Sequence, residues 1–232
     1  MDRNPTSPLR ERASSRSALS VAPAQPTARP LPSGLQWPFG SGGKGPALFV
    51  PADLPAGPLP LAVLLHGATS TPQRVLSRIQ DEAERQKTLI LAPKSHATTW
   101  DAIGGAFGPD VVALNRALAY LFDHFPIDPA RIALAGFSDG ATYALSLGLA
   151  NGDFFRFILA FSPGFVIPGL RRGRPSIFIS HGTQDAILPI RLCSREIAPA
   201  LRREGYGVDY REFVGGHGVP PEMAAAALGL LA

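Results

Sequence analysis

Ile132-Ala133-Leu134-Ala135-Gly136-Phe137-Ser138-Asp139-Gly140-Ala141 is the stretch that decides the fold. An apolar run enters a G-x-S-x-G pentapeptide, and the chain behind it reads as a helix, with Ala141, Leu145 and Leu149 at i, i+4 spacing on one face. Strand, sharp turn and helix form the setting of a nucleophile elbow, in which a serine in strained torsions presents its hydroxyl at the top of a sheet. The glycines fit that geometry, because a Cβ at either position would collide where strand and helix converge. The alternative is a plain strand-to-helix connection whose serine caps the helix.

Working outward, the rest of the chain repeats the alternation. Strands are expected at Ala47–Val50, Leu61–Leu65, Leu89–Ala92, Phe157–Phe161, Ile177–Ser180 and Val208–Phe213. Helices are expected over Pro72–Gln86, Val111–Phe122, Ile190–Arg203 and Pro221–Leu231. Leu61–Leu65 is apolar throughout, as strands buried on both faces are. The pattern predicts one α/β domain over residues 33–232, a mostly parallel central sheet flanked by helices. Sites in such sheets form beyond the carboxyl ends of the strands. There the sequence places His66-Gly67-Ala68, Ser138, His181-Gly182-Thr183-Gln184-Asp185 and Gly216-His217.

Composition limits what the chain can do. Residues 1–32 are rich in Pro, Ser and Arg, without apolar periodicity, and read as a disordered tail. Leu19-Ser20-Val21-Ala22 is too short and too polar for the core of a secretory signal, so a cytoplasmic location is expected. Five arginines against Asp2 and Glu11 put most of the net charge of +4 in this tail. The domain itself is near neutral, which gives no reason to expect nucleic acid as a partner. No apolar run approaches the length of a membrane span. The single cysteine, Cys193, excludes an internal disulfide and a cysteine-based metal site, and no metal is expected.

A serine hydroxyl needs an adjacent base, and that base an anion on its other nitrogen. Only His181 and His217 follow Ser138. His217, between glycines after the last strand, is favoured over His181, which ends a strand and reads as packing. Among the acids, Asp185 is favoured over Asp139, Asp153 and Asp209 because it closes a loop directly after a strand. Its alternative is a helix-capping carboxylate. The amides of Asp139 and Ala68 are the expected oxyanion donors. His66 reads as a structural loop histidine.

Together, Leu64-Leu65-His66-Gly67-Ala68, Gly136-Phe137-Ser138-Asp139-Gly140, His181-Gly182-Thr183-Gln184-Asp185 and Gly216-His217 resemble the phospholipase/carboxylesterase family of α/β-hydrolases, over about Ala47 to the C-terminus. The resemblance implies an α/β-hydrolase fold and a serine hydrolase without cofactor. It implies Ser138, Asp185 and His217 as the catalytic triad, and Ala68 and Asp139 as oxyanion donors. The expected substrate is a small-molecule carboxylic ester of short to medium chain. A thioesterase or serine peptidase using the same triad, and a silent binding domain, are the alternatives. Two departures stand out: Asp139 follows the serine where the family often has glutamine, and Ala68-Thr69-Ser70 replaces the Gly-Asp of thioesterase members.

Residues 162–175 are too few for a cap domain, so no large lid is expected. Phe165, Val166 and Ile167 are expected to line an acyl groove beside Ser138, faced by Leu188, or else to plug the edge of the core. Trp100 and Phe107 are candidate walls of the same pocket.

Overall fold

The structure is a computed structural model that describes residues 16–40 and 45–232. Eight strands form one sheet: β1 (Gly34–Gln36), β2 (Ala47–Val50), β3 (Leu59–Leu65), β4 (Leu89–Ala92), β5 (Ile127–Phe137), β6 (Phe157–Phe161), β7 (Ser176–Gly182) and β8 (Val208–Phe213). Their order is β1-β2-β4-β3-β5-β6-β7-β8. β1 and β2 run antiparallel at one edge, and every pairing from β4 onward is parallel. β3 is buried at all its positions, so its side chains alternate between two cores. Leu61, Val63 and Leu65 face one core, Ala62 and Leu64 the other. Against the first face lie α4 (Pro109–His124), α5 (Asp139–Ala150) and α6 (Ser194–Arg203). Against the second lie α1 (Pro72–Leu76), α2 (Gln80–Arg85) and α7 (Pro221–Leu228). Burying apolar surface on both faces, at about 25 cal/mol per Å², drives this three-layer arrangement.

Several elements differ from the sequence reading. The helix expected over Pro72–Gln86 is two helices, because the Ser77 hydroxyl donates to Arg74 O and competes with the helical ladder at the junction. Asp101–Gly104, where no element is expected from the sequence, is a short helix, α3. The helix expected from Ile190 opens with a 3-10 turn at Ile190–Leu192 and becomes α-helical at Ser194, with Cys193 buried at the junction.

The tail boundary also needs correction. Residues 1–15 lie outside the described residues, but from Ser17 the chain runs as a strap along α4 and the end of α5. Asn151 Nδ2 donates to Ser17 O at 2.8 Å, and its Oδ1 accepts from Leu19 N–H at 2.9 Å. Asn115 Oδ1 accepts from Ser20 N–H at 2.9 Å, and Asp123 O accepts from Thr27 and Ala28 N–H at 3.0 and 2.8 Å. Leu19, Val21 and Leu31 pack against the first core. Proline-rich composition marks the absence of regular structure. It says nothing of anchorage, which here comes from two asparagine side chains and three apolar ones.

α5 is buried along almost its whole length, so its polar side chains must find partners inside. Thr142 Oγ1 accepts from Gly164 N–H at 2.9 Å, and Ser146 Oγ accepts from Ile167 N–H at 3.0 Å. These two hydroxyls, one turn apart, fasten the segment after β6 across the helix.

Candidate active site

The site begins with backbone strain. Ser138 has φ 59° and ψ −123°, a conformation that costs on the order of 1–3 kcal/mol for a residue with a side chain. Three hydrogen bonds offset it: Ser138 N–H donates to Phe161 O at 2.9 Å, and Ser138 O accepts from the amides of Ala141 and Thr142 at 2.9 and 3.0 Å. A Cβ on Gly136 would collide with the Gly140 carbonyl, and one on Gly140 with the Leu65 carbonyl, so both glycines are demanded by close approach. Gly67 lies over the serine: a Cβ there would stand 3.2 Å from Ser138 Cβ.

Asp185 sits at the end of the β7 loop with its side chain fully buried. Oδ1 accepts from the amides of Ile187 and Leu188 at 2.9 and 2.8 Å. Oδ2 lies 2.6 Å from His217 Nδ1 and 3.2 Å from His181 Nε2. Burial alone raises this carboxyl, but hydrogen bonds from Leu188, His217 and Ile187 outweigh it and hold the group below the usual carboxylate range. The bond to Asp185 requires His217 to carry its proton on Nδ1, leaving Nε2 as the free acceptor. The His217 ring packs against Phe137, the residue before Ser138, with centroids 4.6 Å apart.

His181, the histidine not favoured as base, is buried beneath this pair. Its Nε2 donates to Leu188 O at 2.8 Å, and its Nδ1 accepts from Ser194 Oγ at 2.7 Å. Burial lowers its pKa and keeps it neutral, against the raising influence of Leu188 O and Asp185.

The other side of the site is made of backbone. His66 Nδ1 donates to Gly67 O at 2.8 Å, and its Nε2 accepts from Ser95 N–H at 3.1 Å. Burial lowers the His66 pKa and keeps the ring neutral, and the two bonds then fix a single tautomer. Gly67 O belongs to the same peptide plane as the Ala68 N–H. Holding the carbonyl therefore aims the amide the opposite way. Neither the Ala68 nor the Asp139 amide has a hydrogen-bond acceptor among the described residues.

The candidate pocket residues fall elsewhere than expected. Trp100 is 2 % exposed, belongs to the core, and donates its indole N–H to His66 O at 2.8 Å. It supports the His66 loop from behind. Phe107 likewise packs on Tyr143, with ring centroids 5.3 Å apart. Phe165 and Val166 do line a groove, but with Leu192, Ile197 and Leu201 of the α6 side. This cleft of about 270 Å³ is lined by neither Ser138 nor Leu188. The segment is drawn to α6 because Thr142 and Ser146 fasten it across α5, while Ile167 turns into the first core. Leu188 acts through its backbone, on Asp185 and His181, and its side chain lies beside Gly164.

The sequence profile of the phospholipase/carboxylesterase family matches residues 113–227, the stretch that holds Ser138, Asp185 and His217. Esterase PE8 has a similar structure, with TM-score 0.64 and 22% identity, covering 79% of this chain and 95% of that one. The fold is that of the α/β-hydrolases, and over residues 113–227 the chain is similar to the phospholipase/carboxylesterase family. Within this fold, the Bacillus cereus carboxylesterase superposes with TM-score 0.62 at 19% identity, over 80% of this chain and 92% of that one. The Staphylococcus aureus S-formylglutathione hydrolase FrmB superposes with TM-score 0.65 at 16% identity, over 80% and 91%. In sequence, the S-formylglutathione hydrolase of Mus musculus is 27% identical over 142 residues, 50% of each chain. The chain thus spans about half the length of the curated relatives it matches. Only the short 162–175 segment separates β6 from β7.

Sequence reasoning missed how His66 and His181 are used. His66 was read as a structural loop histidine and His181 as packing, but each holds one tautomer through bonds on both nitrogens. The partners, Ser95 and Ser194, lie 29 and 13 residues away and carry no motif.

Proposed function

We propose that the protein is a serine hydrolase that cleaves short-to-medium-chain carboxylic esters through an acyl-serine intermediate. Ser138 Oγ attacks the carbonyl carbon while His217 Nε2 takes its proton. The carbonyl oxygen, now an oxyanion, accepts the amides of Ala68 and Asp139. Collapse breaks the bond to the leaving oxygen, which receives the proton from His217. Water then repeats the sequence and frees the acid. Asp185 Oδ2 holds the imidazole tautomer and balances the imidazolium that forms. The observation that carries this reading is the 2.6 Å bond between Asp185 and His217, on a ring packed against the residue that precedes the strained serine.

A second reading, thioester hydrolysis, is favoured by the S-formylglutathione hydrolases among the relatives. The same constellation suits either leaving group, since the leaving atom meets only loops. A fluorophosphonate probe tests the nucleophile: labelling of wild type that vanishes in Ser138→Ala supports it, and an unlabelled wild type refutes it. A panel of p-nitrophenyl esters of rising acyl length, with a matched thioester and anilide, then assigns the leaving group.

A further inference from the structure

The loop from Ser95 to Trp100 touches both candidate oxyanion donors' supports. Toward the Ala68 side it makes three bonds. Ser95 N–H donates to His66 Nε2 at 3.1 Å, Thr98 O accepts from Thr69 N–H at 2.7 Å, and Trp100 Nε1 donates to His66 O at 2.8 Å. Toward the elbow it makes one: Thr99 Oγ1 donates to Asp139 Oδ2 at 2.7 Å. The loop is itself anchored. Asp110 accepts from the amides of His96 and Asp101 at 2.7 and 2.8 Å, and Asp101 accepts from the amides of Gly108 and Asp110 and from the Tyr143 hydroxyl, each at 2.9 Å.

Two donors serve one oxyanion only if their separation is held, because each must lie about 2.7–3.1 Å from where that oxygen forms. The Asp139 amide is fixed by α5, and the Ala68 amide by His66. The pairing of β3 with β5 and the close approach of Gly140 to Leu65 set the two side by side; the Ser95–Trp100 loop bridges them a second time, and Thr99 is its tie to the elbow. Asp139 also brings a carboxylate to the residue whose amide must meet a growing negative charge. Left to rotate, that carboxylate would repel the oxyanion. The Thr99 hydroxyl holds it aside and takes up part of its charge.

We propose that Thr99 is a positioning residue of the oxyanion hole, which fixes the Asp139 carboxylate away from the reacting oxygen and locks the distance between the Ala68 and Asp139 amides. This rests on the reading of Ser138 as nucleophile. The side chain acts on the transition state and leaves ground-state binding alone.

The test is a set of purified variants assayed on a p-nitrophenyl ester. Thr99→Val, which keeps shape and removes the hydroxyl, lowers kcat about tenfold with KM changed less than about twofold, a milder loss than deleting a donor outright. Thr99→Ser restores kcat to within about twofold of wild type, since it keeps the hydroxyl donor. Affinity of Thr99→Val for an aryl trifluoromethyl ketone, which presents a tetrahedral oxyanion, falls by the same factor as kcat/KM, while affinity for the unreactive methyl ketone holds. In an Asp139→Ala background, adding Thr99→Val causes no further loss, because the pair acts as one unit. A wild-type kcat in Thr99→Val, a loss confined to KM, or a loss that Thr99→Ser fails to restore overturns the proposal. Turnover surviving in Ser138→Ala overturns the nucleophile reading, and the brace with it. A silent Thr99→Val beside a dead Ser138→Ala overturns the brace alone.

Discussion

The two sides of the site are built from opposite materials. On the β7–β8 side, the proposed catalytic side chains are held by backbone: Asp185 receives the amides of Ile187 and Leu188 before it meets His217. On the β3–β5 side, functional backbone is held by side chains: His66 grips the Gly67 carbonyl, and Thr99 grips the elbow. The difference predicts where substitution is visible. On the first side the identity of the active residue is everything. On the second the active residue's side chain is incidental, and identity matters one step further out. That is why an alanine can stand where a catalytic donor is expected.

The largest expected effects are on the side-chain half. Ser138→Ala and His217→Ala each lower kcat by several orders of magnitude, and Asp185→Asn by about 10⁴-fold because the wrong tautomer of His217 is then stabilised. Combined losses fall far short of the product of the single ones, which steady-state assays of the double variants would reveal. Full activity in Asp185→Asn would remove it from this half.

Next comes the backbone half. Ala68→Pro deletes the one atom that counts there, the amide hydrogen, and is expected to lower kcat by about 10²–10³. Ala68→Ser, which keeps that hydrogen, loses far less. If both lose equally, Ala68 acts through its side chain and the contrast between the halves collapses.

A smaller effect joins the halves through pH. Burial lowers the pKa of both His66 and His181 in the folded protein. Unfolded, each takes up a proton near pH 6.5. The unfolded chain therefore binds more protons below that point, and stability present above about pH 6.5 is lost as pH falls. Each histidine contributes at most about 1.4 kcal/mol per pH unit. Urea midpoints should be level from pH 8 to 7 and decline from 6.5 to 5. The lowered Asp185 carboxyl acts only further down, where stability present above about pH 3.9 is lost on acidification. A midpoint unchanged between pH 7 and 5 would mean that neither histidine is held neutral.

The smallest effect lies outside the site. Leu19→Ser and Val21→Ser should each cost about 1 kcal/mol, since both side chains are only partly buried against the core. Thermal melts of the two variants, with kcat unmoved, would separate the strap from catalysis. No shift in melting would return the strap to the status of a loose tail.

What could be read from the chain follows the same division. The elbow and the candidate acid and base stand at strand ends, and the central strands were visible as apolar runs because both of their faces are covered. Ala47–Val50, Leu89–Ala92, Phe157–Phe161 and Val208–Phe213 match residue for residue. The three-residue β1 lacks such a run and was not expected. The supports were not legible either, because a support is a relation between distant residues. Nothing about Thr99 in sequence points to Asp139, forty positions away. The course of the 162–175 segment was not legible for a related reason. Phe165 is apolar and close in sequence to the β6 end, but two hydroxyls on α5 decide which way its segment turns.

Cys193 gives this architecture a built-in clock. The only thiol of the chain is buried at the junction that leads into α6, next to the serine that holds His181. Burial also pushes the thiol pKa up, so in the closed molecule it is both hidden and mostly protonated. A disulfide reagent can react only when this corner swings open. The rate of that reaction reports how often the corner around Cys193 opens, locally or with the whole molecule, with no second cysteine to remove.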